Sequence, residues 1–332
     1  MRTMKKIFIA SFFLLIKFSS AQDIHFSQFY ANPLQTNPAK TGFITNDFRF
    51  TGSYRNQWGS ITTPYVTSIA STDFSFVSGK KKKNISGAGI MLFNDRAGDG
   101  QLNTTQINLC GSVNKAVGKF GNKFIGIGFI GTYSLTSVNF DNLRWDEQFD
   151  GGTFTENFDL HSDDYFDLST GIEYNYLADK SNNFTMGFAC YHLFKPRLTF
   201  NNEPDSRIFR KYVFNAGANL GMGNKLAFYP KMMLSQQGKF REIVFGFLER
   251  YSLNYNYLND YGIYLGAFMR WNDAFVFMTK MDLNRFSMGI SYDFNFSRLA
   301  EVSHAKGGPE ISVIYTGNIS GFHKKKIYCP RF

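Results

Sequence analysis

What this sequence has little of narrows it quickly. Beyond residue 21 no apolar run approaches the roughly 20 residues that a membrane-crossing helix needs, which excludes a helical membrane protein. Cysteine is scarce: Cys110, Cys190 and Cys329 are odd in number and far apart, so they offer neither a metal-site spacing nor a disulfide framework. Cys110 and Cys190 fall inside strand patterns and read as small buried residues. Histidine numbers only 5 in 332 residues, and His161-Ser-Asp-Asp164 sets one of them beside a hydroxyl and acids. Neighbours within one loop seldom supply a nucleophile, base and orienter in mutual reach, so no catalytic residue is assigned and no enzyme is expected. His192 reads as a strand residue and not as a ligand. The one dinucleotide-like pattern, Gly126-Ile-Gly-Phe-Ile-Gly131, lies within a strand pattern without the strand–turn–helix context it needs, so no cofactor is expected.

Of only 8 prolines, Pro33 and Pro38 fall close together, each after an asparagine. With Gly42 they interrupt residues 22–42 too often for any long regular element. Phe26, Phe29 and Tyr30 supply aromatic anchors beside His25, so the stretch reads as an ordered lead-in that docks on the remainder of the chain.

Residues 1–21 read as a secretory signal. Arg2, Lys5 and Lys6 form its charged start, Ile7 to Ile16 its apolar centre and Ser19-Ser20-Ala21 its small-residue cleavage site. The formal charge of +10 includes those cations and Lys17. The rest of the excess is local, in the runs 80–83 and 324–326. In an exported chain these read as solvated turns and a tail, and no nucleic-acid partner is expected.

What is abundant is aromatic side chain, 38 Phe and 18 Tyr, suited to strands and to membrane–water interfaces. It falls in period-two alternation. From Phe286 to Phe296 every even position is Phe, Met, Ile or Tyr and every odd one Ser, Gly, Asp or Asn. These runs reach ten residues or more, where soluble strands usually run about five or six. A membrane-crossing strand needs about 9–11 residues, and alternation at that length marks a transmembrane β-barrel.

The alternation gives fourteen candidate strands: 48–58, 64–76, 84–94, 103–115, 122–138, 163–177, 182–194, 210–222, 224–236, 240–256, 261–271, 273–281, 284–295 and 308–317. The fold expected is all-β, an antiparallel up-and-down outer-membrane barrel of about 14 strands with both termini periplasmic. The longer connections, 95–102, 139–162, 195–209 and 296–307, then fall on one rim, at the cell surface. The division expected is a signal (1–21), an ordered irregular segment (22–46), the barrel (47–318) and a basic tail (319–332).

Energetics sets the faces. In the first strand Arg49 and Arg55 alternate with Phe48, Phe50, Tyr54 and Trp58. An Arg facing lipid near the midplane costs roughly 2–4 kcal/mol, so Arg49 and Arg55 should face the lumen and the aromatics lipid. A segment before that strand then suits a plug or lid built on His25, Phe26, Phe29 and Tyr30.

The stretch 141–167 holds nine carboxylates against Arg144. It suits an acidic contact surface for a basic partner, built on Trp145, Asp146, Phe149, Phe154, Phe158, Asp163 and Asp164, or binding of Ca2+ by carboxylate oxygens, or a plain solvated loop.

Several segments carry a resemblance. His25-Phe-Ser-Gln-Phe-Tyr-Ala-Asn-Pro-Leu34, Asn37-Pro-Ala39, Gly42 and Tyr54-Arg-Asn-Gln-Trp58 closely resemble the start of the PorP/SprF family of the type IX secretion and gliding system. Asn94-Asp-Arg-Ala-Gly98, Ser291-Tyr-Asp-Phe294, Glu310-Ile-Ser-Val-Ile-Tyr315 and Cys329-Pro-Arg-Phe332 extend it along the chain. The resemblance implies an outer-membrane barrel that works with the type IX translocon. It also implies a partner, a secreted adhesin-type cargo bound through its C-terminal domain for export or surface retention. The alternative is a passive or selective pore, because a barrel of this size encloses a lumen unless something fills it.

Overall fold

The computed structural model describes residues 23, 25–57, 59, 63–78, 84–118, 120–140, 162–179, 181–198, 206–253, 260–297, 304 and 306–319. Period-two sequence becomes strand: β1 (Phe48–Gln57), β2 (Tyr65–Ser78), β3 (Asn84–Ala97), β4 (Leu102–Val117), β5 (Lys123–Ser137), β6 (Ser162–Leu177) and β7 (Asn183–Tyr191). They continue as β8 (Lys211–Met222), β9 (Leu226–Gln237), β10 (Phe240–Ser252), β11 (Tyr261–Arg270), β12 (Ala274–Leu283), β13 (Phe286–Asn295) and β14 (Lys306–Gly317). Each pairs antiparallel with its sequence neighbour, and β1 closes on β14 with Phe48 opposite Gly317 and Arg55 opposite Glu310. Closure leaves no strand edge to pair with another chain. No described helix is long and apolar enough to cross a membrane; the crossing is made by strands.

The faces are inverted relative to a water-soluble protein. Phe50, Tyr54, Leu109, Leu265 and Phe277 are exposed, while Arg49, Arg55, Asp73, Glu173, Asp293 and Glu310 are buried inside. Each large apolar side chain left in water would forgo roughly 1.5–3 kcal/mol, which a lipid surround restores. Two seams are irregular: between β8 and β9 the pairing omits Ala218–Asn219 opposite Tyr229–Pro230, where Pro230 has no N–H to give the ladder, and between β13 and β14 the register shifts at Asp293/Phe294.

Two rims result. At the start rim β1 begins and β14 ends; at the far rim lie the long connections 138–161, 192–210 and 296–305. The expected long connection at 95–102 is a short turn. Asp95 stays in the ladder, its carboxylate taking the Thr67 hydroxyl at 2.8 Å, so β3 runs on to Ala97.

Candidate functional site: the occupied lumen

Residues 25–44 run through the barrel interior. Their backbone could not continue as a strand after Pro33 and Pro38, so it folds into a 3-10 turn (Phe29–Ala31), one helical turn α1 (Pro33–Thr36) and a second 3-10 turn (Pro38–Lys40). Short turns leave backbone groups unpaired, and buried groups must find partners. Here the barrel wall supplies them.

Nearer the far rim, both Glu310 oxygens accept backbone N–H groups, from Ser27 at 2.7 Å and Gln28 at 2.9 Å. The Gln28 side chain donates to Ser291 Oγ at 3.1 Å and accepts from Ser312 Oγ at 2.7 Å. Ser27 Oγ donates to the Asp293 carboxylate at 2.8 Å and accepts from Arg270 Nη2 at 2.6 Å. Asp293 also pairs with Arg55 at 2.7 Å and Arg270 at 2.9 Å. Arg55 donates in addition to the His25 carbonyl. The His25 Nε2 lies 3.5 Å from a Glu242 carboxylate oxygen.

Toward the start rim the Asn37 amide donates to Glu173 at 2.9 Å and to the Ile172 carbonyl at 2.9 Å. Lys40 Nζ lies 3.6 Å from Glu173. Arg49 grips Asp73 with two bonds, 3.0 and 2.8 Å, and donates to the Lys40 carbonyl at 3.2 Å. Asp73 also takes the Gly42 N–H at 2.6 Å. The fit needs glycine in the wall: a Cβ on Gly128 would stand 2.3 Å from the Pro38 carbonyl, and one on Gly87 2.1 Å from that of Thr41.

Apolar contacts fill the rest. Phe29 and Tyr30 pack on Phe268 with ring centres 6.0 and 6.1 Å away. Phe26 and Leu34 join Ile69, Met91, Cys110 and Ile130; Phe43 meets Phe124 at 5.5 Å.

At the far rim Asp23 is clasped. His192 donates through Nε2 to Asp23 at 2.9 Å and is braced at Nδ1 by Asp167 at 2.8 Å. Gln237 takes the Asp23 N–H at 2.8 Å and returns a bond at 3.0 Å, while Lys211 Nζ lies 3.7 Å away. Burial alone would lower His192, but the Asp23 and Asp167 carboxylates outweigh it and raise the imidazole to about 9. A raised value stabilises fully below the ordinary 6.5 and is lost as pH rises through about 9. The clasp is thus expected to weaken above about pH 9, and His192→Gln to erase that step in a pH series of thermal unfolding. A step unchanged in the variant would count against this role.

His25, Phe26, Phe29 and Tyr30 therefore all sit inside the barrel, and Arg49 and Arg55 both point into it. Asp23 and Asp47 lie at opposite rims: Asp23 N–H binds the end of β9, and Asp47 N–H the Gly317 carbonyl. β1 begins and β14 ends at one rim, while Asp23 lies at the other. His192 is not a strand residue: its φ of 57° ends β7 at Tyr191 and turns the imidazole inward. Trp145, Asp146, Phe149, Phe154 and Phe158, and with them most of the Ca2+ expectation, lie outside the described residues, as do the signal and the tail beyond Ile319. Asp163 and Asp164 stand at the far-rim end of β6 on opposite faces, Asp164 on the side of exposed Phe166. Cys110 is buried and Cys190 half-buried.

Sequence reasoning missed Asp73, Glu173, Arg270, Asp293 and Glu310. The signal was present: each is a charge at an inward position of an apolar–polar strand. Moreover, the motifs around Asn37, Gly42, Arg55, Asp293 and Glu310, scattered along the chain, converge on one interior.

Solved structures with a similar architecture include the TodX deltaS2S3 mutant monoaromatic hydrocarbon channel, at 9% identity and a TM-score of 0.53, covering 86% of this chain and 94% of that one. The P. putida toluene transporter TodX is 9% identical with a TM-score of 0.49, over 87% and 94% of the two chains. At such identity the likeness speaks to the fold alone. No curated protein matches the sequence. Residues 18–315, from before the threaded segment into β14, match the family described as type IX secretion system membrane protein PorP/SprF. The chain whose N-terminal motif is folded into its own outer-membrane barrel belongs to the PorP/SprF family.

Proposed function

We propose that this protein is a closed, non-enzymatic docking barrel of the type IX system. It binds the C-terminal domain of a secreted adhesin-type cargo, the translocon, or both, for export or surface retention. The observation that carries the reading is the occupied lumen: residues 25–44 meet the wall through buried ion pairs, hydrogen bonds and aromatic contacts. A passive or selective pore needs a clear passage, and a segment seated this tightly serves as a plug. In this reading the far rim faces outward and its long connections, including residues 141–161 with Trp145, Phe149, Phe154 and Phe158, meet the cargo.

Affinity purification from native membranes tests the reading directly; copurified translocon or cargo supports it. Deleting residues 153–161 is expected to leave the barrel assembled but to reduce cargo at the cell surface severalfold, read by surface immunolabelling. Normal surface cargo in that mutant would argue against an outer-loop contact.

A further inference from the structure

The clasp around Asp23 is a built site with an occupant. Three donors from three separate places in the chain converge on one carboxylate: His192 Nε2 just after β7, Lys211 Nζ at the start of β8 and Gln237 Nε2 at the end of β9. Asp167 fixes the imidazole from behind, so its second N–H points at the ligand. The chain adopts a left-handed backbone at His192, φ 57°, to place it there. A carboxylate bound by an ammonium, an imidazolium and an amide is a strong, charge-assisted arrangement.

The occupant is less deeply held than the segment behind it. The Asp23 side chain is 34% exposed, whereas Ser27 and Gln28 are wholly buried. Asp23 is also the part of the segment farthest from its covalent root at β1, across the whole barrel. A second carboxylate approaching the far rim can therefore take the same donors without moving the wall.

We propose that His192, Lys211 and Gln237 form a carboxylate-binding site, filled at rest by Asp23, that accepts a carboxylate of a partner segment and so frees the N-terminal end at the far rim. The exchange replaces one ligand by another and breaks no covalent bond. Residues 27–42 stay seated by Glu310, Asp293, Glu173 and Asp73, so exchange releases an end and does not empty the barrel. The proposal rests on the closed-barrel reading only in taking the occupied lumen as the resting state.

The test uses the full barrel in detergent micelles with Cys110, Cys190 and Cys329 replaced by alanine and a reporter at His25→Cys. Maleimide labelling is followed with acetyl-trialanine as the free acid or as its C-terminal amide. The acid is expected to speed labelling by about tenfold and the amide to leave it unchanged, since only the acid competes for a charge-assisted clasp. Asp23→Asn should label fast without peptide, and Lys211→Gln should blunt the response to the acid. Equal rates with acid and amide would overturn the site, a result that needs no clasp variant to assemble. Planar-bilayer current in the parent barrel reads the closed-barrel proposal separately: a silent barrel whose labelling ignores the acid sinks the clasp alone, and a conducting barrel whose labelling is speeded by the acid sinks the plug alone.

Discussion

Removing residues 22–44 is expected to turn a silent barrel into one that carries steady current. The strand ladder closes through β1 and β14 without help from the segment, so the wall survives its loss. What the segment now covers is a charged interior lined by Arg49, Arg55, Asp73, Glu173, Asp293 and Glu310. Exposed to water, those groups hydrate and line a wet passage, as polar interiors of outer-membrane barrels do. A shorter deletion of 22–37 should give a smaller current, because Pro38–Gly42 would remain seated against Gly128 and Gly87. Planar-bilayer recording of the purified barrels is the measurement. A deletion barrel that assembles and stays silent would show that the segment is not what closes the lumen.

The second large effect is expected at Asp293. Its carboxylate compensates Arg55 and Arg270 together and also holds Ser27, all buried in the interior. Stripping one partner from a buried pair leaves the other charge uncompensated and typically costs about 3–5 kcal/mol. Asp293→Ala, which orphans two guanidiniums, should reach the upper part of that range. It would be read as a lowered urea midpoint for the folded barrel in micelles. Asp293→Asn keeps hydrogen bonds to Ser27 but not the charge, and should fall between the two. A loss below about 1 kcal/mol for the alanine variant would mean that water or rearranged partners already shield the cluster.

The strands were legible because their cause is local. A strand that must present lipid to one side and a polar lumen to the other writes its faces into alternate residues. That is why β5, placed at 122–138, runs Lys123–Ser137, and why Arg49 and Arg55 alternate with Phe50 and Tyr54. Departures came where one side chain governs an end. His192 leaves β7 early to reach Asp167 and Asp23, and no periodicity announces a left-handed residue whose purpose is a contact 169 positions away. The turn at 98–101 was overestimated because Asp95 and Arg96 look like loop residues, yet a polar side chain such as Asp95 is at home inside a barrel.

The lumen contacts were legible only in fragments. The aromatic anchors, two prolines and Gly42 marked residues 22–42 as ordered, but not where they would lie. Ser27 meets Asp293 across 266 positions and Glu310 across 283, and neither partner's identity constrains the other along the chain. Gly128 looked like part of a dinucleotide pattern in sequence; in space it is the gap through which the Pro38 carbonyl approaches the wall.

By itself, then, the sequence determined the class of fold, the number of strands, the side of each strand that meets lipid and, through its N-terminal motif, the family. All of these come from short-range periodicity or from contiguous residues. Tertiary structure alone decided that the same motif lies inside the barrel, crosses it from rim to rim and ends in a carboxylate clasp. Those outcomes depend on closure of β1 against β14, which brings isolated charges from both ends of the chain around one interior where each must find a partner or stay unpaired.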